Sequence, residues 1–509
     1  MRPVLRALAL SMTLALGTAA HAAVDMPPGI AWRAAAQDSD IEAAFAAAKS
    51  ENKPVLLYWG AKWCPPCNQL KATLFNRADF IEQSRAVVPV QIDGDLPGAQ
   101  KLGSRFKVRG YPTMILFSPS GQELTRLPGE ADAERVVKLL QMGLSGGRPV
   151  KAVLADARAG KTLKAGEWQL LSYYSWDTDE QQLVPAKERG ALLQRLAAAK
   201  NVPADARTRL SLKALAAGAA PAKGDAELLA GVLKDAKKVR THLDVLSNSA
   251  DDLLRALQPQ PGAARSALAA ELNQVLATRQ ADPQLSRADR VGCLIARVHL
   301  ARIDLPKDEV HPKLDAALLN EVRGLSNLMD REIKDGYERQ AVMTSVGYVL
   351  GLAGLWAESD AMLKANLAKS HSPYYLMNQL GSNARKTGRK DEALSWFEQA
   401  FNKSEGPATR LQWGSTYFEN LIKLAPQESA RIEKLAAQLI AEAEKDKGAF
   451  YERSARSLQR VSDQLLPWAQ GANAPVLQRL QGQLGGVCAK LDTADAQRST
   501  CEALLKPKA

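Results

Sequence analysis

Cysteine is scarce in this chain. Five in 509 residues are too few for the disulfide-dense scaffold of a small secreted domain. Charge of one sign does not dominate either. The 67 basic and 55 acidic residues leave a formal charge of +12, which is mild at this length and does not by itself make a nucleic-acid binder. Aromatic residues are absent between Trp176 and Tyr337, yet ten fall between Trp32 and Phe117, so the two stretches must be packed differently. A long apolar run is also missing from the body of the chain. The uncharged segment Gln340–Ala357 contains Gln340, Thr344, Ser345 and glycines at 347, 351 and 354, a pattern that predicts a buried helix and turn rather than a membrane span. What is present is an ordinary globular composition, 46% hydrophobic and 24% charged. It excludes disorder as the main state and predicts about three domains.

The N-terminus carries Arg2 and Arg6, the uncharged apolar run Ala7–Leu16, and then Ala20-His21-Ala22, the small-x-small pattern of a signal-peptidase site. An export signal over 1–22, cleaved after about Ala22, is therefore predicted, and the mature chain would be periplasmic with a formal charge of +10. No cysteine follows the cut, which disfavours a lipid anchor, and the two arginines are not adjacent, which disfavours a twin-arginine signal.

Apolar runs at Val55–Trp59, Ala86–Ile92 and Thr113–Phe117 predict strands, and Asp40–Ser50 and Asn68–Phe75 predict helices. This is α/β in character. Gly143–Pro149 reads as a linker. Beyond it the chain is Ala/Leu-rich, with breaks at 201–203, 258–262, 282–283 and 306–307 spaced as helix–helix connections are. Gly347 and Gly381, Gly354 and Gly388, Leu363 and Phe397, and Pro373 and Pro407 each lie 34 residues apart, the period of a helical-hairpin repeat.

The most informative pentapeptide is Trp63-Cys64-Pro65-Pro66-Cys67, which follows a predicted strand and opens a predicted helix. Two cysteines on a first helical turn can close and reopen a disulfide. Cys64 would be exposed, with the helix dipole favouring its thiolate. The same spacing is half a zinc site, but no second Cys or His pair completes one, and His242, His299, His311 and His371 lie far away. No metal site and no cofactor are predicted. Gly160-Lys161-Thr162 fails as a phosphate loop because Ala155 stands where a glycine is needed. Cys293 shares an apolar face with Val291, Leu294 and Val298, as a buried thiol would. Cys488 and Cys501, 13 residues apart on two predicted short helices, would form a structural disulfide in an oxidising compartment.

Just before a predicted strand stands Val108-Arg109-Gly110-Tyr111-Pro112-Thr113, with Pro112 45 residues after Cys67. Here residues 30–143 resemble the thioredoxin superfamily, in which a W-C-x-x-C helix faces a cis-proline loop. The loop looks most like that of protein disulfide isomerases. The lead-in Ile41–Cys67, with Glu51–Leu57 inside it, looks more like bacterial periplasmic thioredoxin-like domains such as the DsbD C-terminal domain. Likewise Leu380-Gly381-x-x-Ala384 followed by Gly388, Ala393, Phe397 and Ala400 resembles the tetratricopeptide family. The fold expected is thus multidomain: a thioredoxin-like α/β domain over 23–145, an Ala/Leu-rich helical region over 146–335, tetratricopeptide-like repeats of an all-α solenoid over 336–446, and a helical C-terminal region over 447–509.

The resemblance implies that Cys64 attacks and Cys67 resolves through a mixed disulfide. It implies that Pro112 is cis, that the Tyr111 backbone is free to pair with a substrate strand, and that Trp63 covers the site edge. One departure is Tyr58, which stands where the superfamily has a buried carboxylate. A phenol is a poor base near neutral pH, so either a water or another carboxylate, with Asp93 and Asp95 as candidates, does that work, or resolution is slow. A second is that Pro65 and Pro66 remove two amides that could donate to Cys64, which favours a reductase or exchange role over a strong oxidant. Expected partners are protein thiol or disulfide substrates and a redox donor or acceptor protein. Nucleic acid is not expected, and neither is a membrane span in the mature chain. The rival reading is a non-catalytic scaffold that uses the thioredoxin-like domain for docking, and a third is metal handling by Cys64 and Cys67.

Overall fold

The computed structural model describes residues 26–129, 133–145, 147–178 and 183–506. The predicted export segment 1–22 and Gly146 of the predicted linker lie outside them. The N-terminal head runs β1 (Arg33–Ala35), α1 (Asp38–Glu51), β2 (Val55–Gly60), α2 (Pro65–Ala72), α3 (Ala78–Ser84), β3 (Val88–Asp93), α4 (Ala99–Phe106), β4 (Thr113–Phe117), β5 (Glu123–Leu127) and α5 (Ala133–Leu144). The five strands form one sheet in the order β1-β3-β2-β4-β5. The β1–β3 and β3–β2 pairs are parallel, and β2–β4 and β4–β5 are antiparallel. The head is thus a thioredoxin-like α/β fold.

All six residues of β2 are buried, which is why its sequence reads as an unbroken apolar run, as a central strand covered on both faces must. Two strands escape the sequence pattern. β1 has only three residues, and β5 (Glu-Leu-Thr-Arg-Leu) contains Arg126, whose burial no composition rule anticipates. Arg126 is 1% exposed. It pairs with Glu123 at 2.9 Å and donates to the Phe106 and Lys107 carbonyls, so the charge and its donors find partners inside the fold.

From Val150 onward every regular element among the described residues is a helix. None is long and apolar enough to cross a membrane. Successive hairpins pair Gly336–Leu352 with Trp356–Asn366, Pro373–Lys386 with Lys390–Lys403, and Pro407–Leu424 with Ser429–Lys445. Pro373 and Pro407 sit in first turns, where a missing N–H costs nothing. The 34-residue offset has a packing cause. A Cβ at Gly381 would lie 2.8 Å from the Phe397 ring, and one at Gly347 would lie 2.5 Å from Leu363, so each glycine lets its hairpin close. Gly381→Ala gains about 1 kcal/mol of helix propensity, but it forces a buried ring to move, at about 1–3 kcal/mol. A net loss of stability is expected in urea titration. Gly324→Ala, on an exposed helix face with nothing within 4 Å, should stabilise instead.

Cys488 and Cys501 are joined in a disulfide, Cα to Cα 5.7 Å, between the helices Ala474–Ala489 and Ala496–Ala503. Cys293 is free and fully buried, and its thiol is pushed up to about 12, chiefly by burial and further by Asp289.

Candidate active site

β2 ends at Gly60, and α2 starts at Pro65 with Cys64 as its N-cap. Prolines at the first helical positions suit a start at which N–H groups have no partner. Cys64 and Cys67 are disulfide-bonded, with Cα atoms 5.2 Å apart. One amide survives the two prolines: the Cys67 N–H donates to the Cys64 sulfur at 3.2 Å. A disulfide at a helix N-terminus, with an amide aimed at the outer sulfur, can be opened by an attacking thiolate and leaves a stabilised thiolate behind. The Tyr111–Pro112 peptide is cis.

On β2, Tyr58 is 1% exposed, and its hydroxyl has no hydrogen-bond partner. Its proton is held more tightly than in water, first because of burial and then because of nearby Asp93. The two carboxylates singled out in the sequence have different surroundings. Asp93 ends β3 opposite Gly60, and its carboxyl is pushed up to about 6, first by burial and then by repulsion from Asp95. Asp95 is instead saturated with donors. It accepts from Trp63 Nε1 at 2.9 Å, from Thr409 Oγ1 at 2.6 Å and from Arg453 Nη2.

Thr409 and Arg453 belong to the helical body, and with them the expectation of an exposed Cys64 fails. Cys64 is 3% exposed, Cys67 0% and Trp63 8%. The cover comes from Tyr374, Met377, Ala400 and Trp413, which pack with the two cysteines in one apolar cluster. Trp63 stacks on Tyr375, with ring centroids 5.8 Å apart, and meets Trp413 edge-on at 6.0 Å. The Arg453 guanidinium lies 5.2 Å from the Trp63 ring and 5.0 Å from the Tyr111 ring. Gln340, from the Gly336–Leu352 helix, donates to the Trp63 carbonyl at 3.0 Å. Arg456 donates to the Arg109 carbonyl at 2.8 Å, so the approach to the cis-proline loop is occupied as well. Trp63 itself lies between Tyr375 and Trp413 of the body rather than facing solvent.

Two cavities flank the motif, of about 500 and 580 Å³. Both are lined by Pro65, Pro66 and Ser345, and neither cysteine lines either one. No group of three or more His, Cys, Asp or Glu suited to a metal occurs among the described residues.

Residues 41–143 match the family of thioredoxin-like domains. The chain is 32% identical over 107 residues to the thiol:disulfide interchange protein DsbD 2 of Pseudomonas aeruginosa, a match covering 20% of this chain and 18% of that protein. It is 30% identical over 118 residues to the protein disulfide-isomerase of Triticum aestivum, covering 23% and 20%. A thioredoxin-like protein of Synechocystis sp. is 31% identical over 90 residues, which cover 18% of this chain and 81% of that one. The chain thus spans about a fifth of the two larger relatives.

Proposed function

The chain belongs to the thioredoxin-like family through its head, and from that premise we propose that it is a thiol–disulfide oxidoreductase acting on protein thiols or disulfides through Cys64 and Cys67. The observation that carries this reading is the disulfide across the first turn of α2, with the Cys67 amide directed at the Cys64 sulfur. The relatives named for thiol:disulfide interchange and disulfide isomerisation support it. So does the second disulfide, Cys488–Cys501, which suits an oxidising, periplasmic compartment.

In the reducing direction the Cys64 thiolate attacks one sulfur of a substrate disulfide. That S–S bond breaks, the mixed disulfide forms, and the first substrate thiolate leaves. Cys67 then loses its proton and attacks the Cys64 sulfur. The Cys64–Cys67 bond closes and the second substrate thiolate departs. Two electrons have passed to the substrate, and a dithiol partner protein must return them. Equilibration in thiol/disulfide buffers tests the reading. A potential near about −270 mV is expected for a reductase, and one near about −120 mV would make the protein an oxidant. If the pair does not titrate, the head is a docking module. We read the hairpins between Gly336 and Lys445 as tetratricopeptide-like, a body for partner contact.

Asp93 takes the place of the missing acid at Tyr58 as proton acceptor for Cys67. Asp95 is already committed to three donors, whereas Asp93, at about 6, is ionised at neutral pH and still basic enough to work. The resolving step should slow as pH falls through about 6. Asp93→Asn should remove that inflexion and slow resolution about 10²-fold at neutral pH, the lower range for general-base catalysis. A raised carboxyl pKa stabilises the fold below the unfolded value, and this contribution is lost as pH rises through about 6. Asp93→Asn should therefore be more stable than wild type at pH 7 while resolving more slowly, and stopped-flow and urea titration together check both signs.

A further inference from the structure

We propose that the helical body is a cover for the Cys64–Cys67 disulfide, latched to the head at Asp95, and that a protein substrate reaches the sulfurs only when this latch opens. The inference rests on the exchange reading above. Thiol–disulfide exchange needs a nucleophile at the sulfur, so its rate depends on access. Here access is closed from three sides by residues far away in sequence. Tyr374, Met377 and Trp413 pack on the motif itself. Gln340 takes up the Trp63 carbonyl, and Arg456 takes up the Arg109 carbonyl beside the cis-proline loop. The Trp63 and Arg109 carbonyls on either side of the disulfide and the cis-proline loop are therefore already taken up by the protein's own chain. Pro65 and Pro66 alone of the motif reach the flanking cavities.

The latch is a single carboxylate. Asp95 joins Trp63 of the head to Thr409 and Arg453 of the body, and the Arg453 backbone amide donates to the head's Gln100 at 2.9 Å. The chemistry of this seam suits reversible opening. Arg453 is 8% exposed, and burying an ion pair costs desolvation that its mutual attraction only partly offsets. The closed state also leaves Arg453 Nε and Trp413 Nε1 buried without hydrogen-bond partners. Each such group carries a penalty that contact with water would relieve. Water at these polar groups offsets part of the cost of exposing Tyr374, Met377 and Trp413 when the seam parts.

The test uses the full-length protein and compares reduction of Cys64–Cys67 by dithiothreitol with reduction by a reduced thioredoxin as the protein dithiol. If only the open fraction reacts with a protein, the apparent rate scales with that fraction. Replacing Arg453 by Gln together with Thr409 by Val should then raise the thioredoxin rate at least about tenfold, well above the change for dithiothreitol. Gln340→Leu removes the hydrogen bond to the Trp63 carbonyl and the one accepted from Ser370, without leaving a charge unpaired. It should raise the rate less, and it carries the test if the double variant does not fold. Rates with thioredoxin unchanged from wild type in folded variants would overturn the cover. A separate readout does not depend on redox function: after phosphine reduction, wild-type Cys64 should react with N-ethylmaleimide far faster than with a polyethylene-glycol maleimide. Equal labelling overturns the cover even if the pair titrates. A pair that fails to titrate overturns the exchange reading and leaves the cover to the labelling result.

Discussion

Cys64→Ser abolishes disulfide exchange, and Cys67→Ser converts the protein into a trap that accumulates mixed disulfides. The asymmetry follows from position on the helix. Cys64 is the N-cap, its sulfur accepts the Cys67 amide, and it lies where the helix dipole favours negative charge. Cys67 sits one turn in and is fully buried, reachable only by its partner sulfur. Serine at 64 leaves no nucleophile for the first step. Serine at 67 permits that step and blocks the second, so the covalent intermediate persists until an outside thiol cleaves it. Non-reducing electrophoresis of Cys67→Ser incubated with a disulfide-bonded protein should show a higher-mass species that dithiothreitol removes. Turnover by either variant at the wild-type rate would refute the assignment. The helical cover adds a further expectation. Trapped species should form faster in the latch variants, because the capture step is the one that requires the site to open.

Asp244→Ala is expected to be the most damaging single change in the helical body, at about 3–5 kcal/mol, the cost of breaking a buried ion pair by removing one partner. Arg209 and Asp244 are bidentate at 3.0 and 2.6 Å, with side chains 1% and 5% exposed. The guanidinium also lies 3.9 Å from the Tyr173 ring. Removing the carboxylate takes a bidentate partner away from that buried cation beside Tyr173 and His242. Replacing both partners, Arg209 by Met and Asp244 by Leu, should recover most of the loss, since an apolar pair of similar volume avoids the desolvation cost altogether. Acid should reproduce part of the effect. Burial alone would raise the Asp244 carboxyl, but Arg209 more than offsets it and holds the group below the usual carboxylate range. Its contribution is present above the unfolded value and lost as pH falls through the folded one. His242 is held down at about 4, first by burial and then by Arg209. It stabilises above its unfolded value of 6.5, and that contribution is lost as pH falls towards 4. Both groups therefore weaken this region in acid, His242 first. Urea midpoints measured between pH 7 and 4 should fall, and Asp244→Ala should already be low at neutral pH.

The elements legible in the sequence are those whose cause is local. β2 and β4 are covered on both faces, so Val55–Trp59 and Thr113–Phe117 read as apolar runs and match the strands Val55–Gly60 and Thr113–Phe117. The breaks at 201–203 and 258–262 fall between helices because prolines and glycines cannot continue them. β1 went unread because three residues hold no period, and β5 because Arg126 is buried through partners 19 and 20 residues away. The CxxC motif and Pro112 were visible as residue types at a spacing. The difference between Asp93 and Asp95 was not, because both lie two residues apart on the same strand end and only their neighbours distinguish them.

By itself the sequence determined a strand–CxxC–helix unit, a helical body in which two hairpins are offset by 34 residues, and too few cysteines for a disulfide-dense scaffold. Each of these follows from propensity, periodicity or spacing over a few tens of residues. Only the tertiary structure decided that the body sits on the head and closes over the sulfurs. The contacts that do it join Asp95 to Thr409 and Arg453, and Trp63 to Gln340, across separations of 314, 358 and 277 residues. A threonine in a helix and an arginine near a helix start look alike whether they face water or a buried carboxylate. What they face is set by how the helical pairs stack and where that stack returns the chain, and no local pattern carries that information.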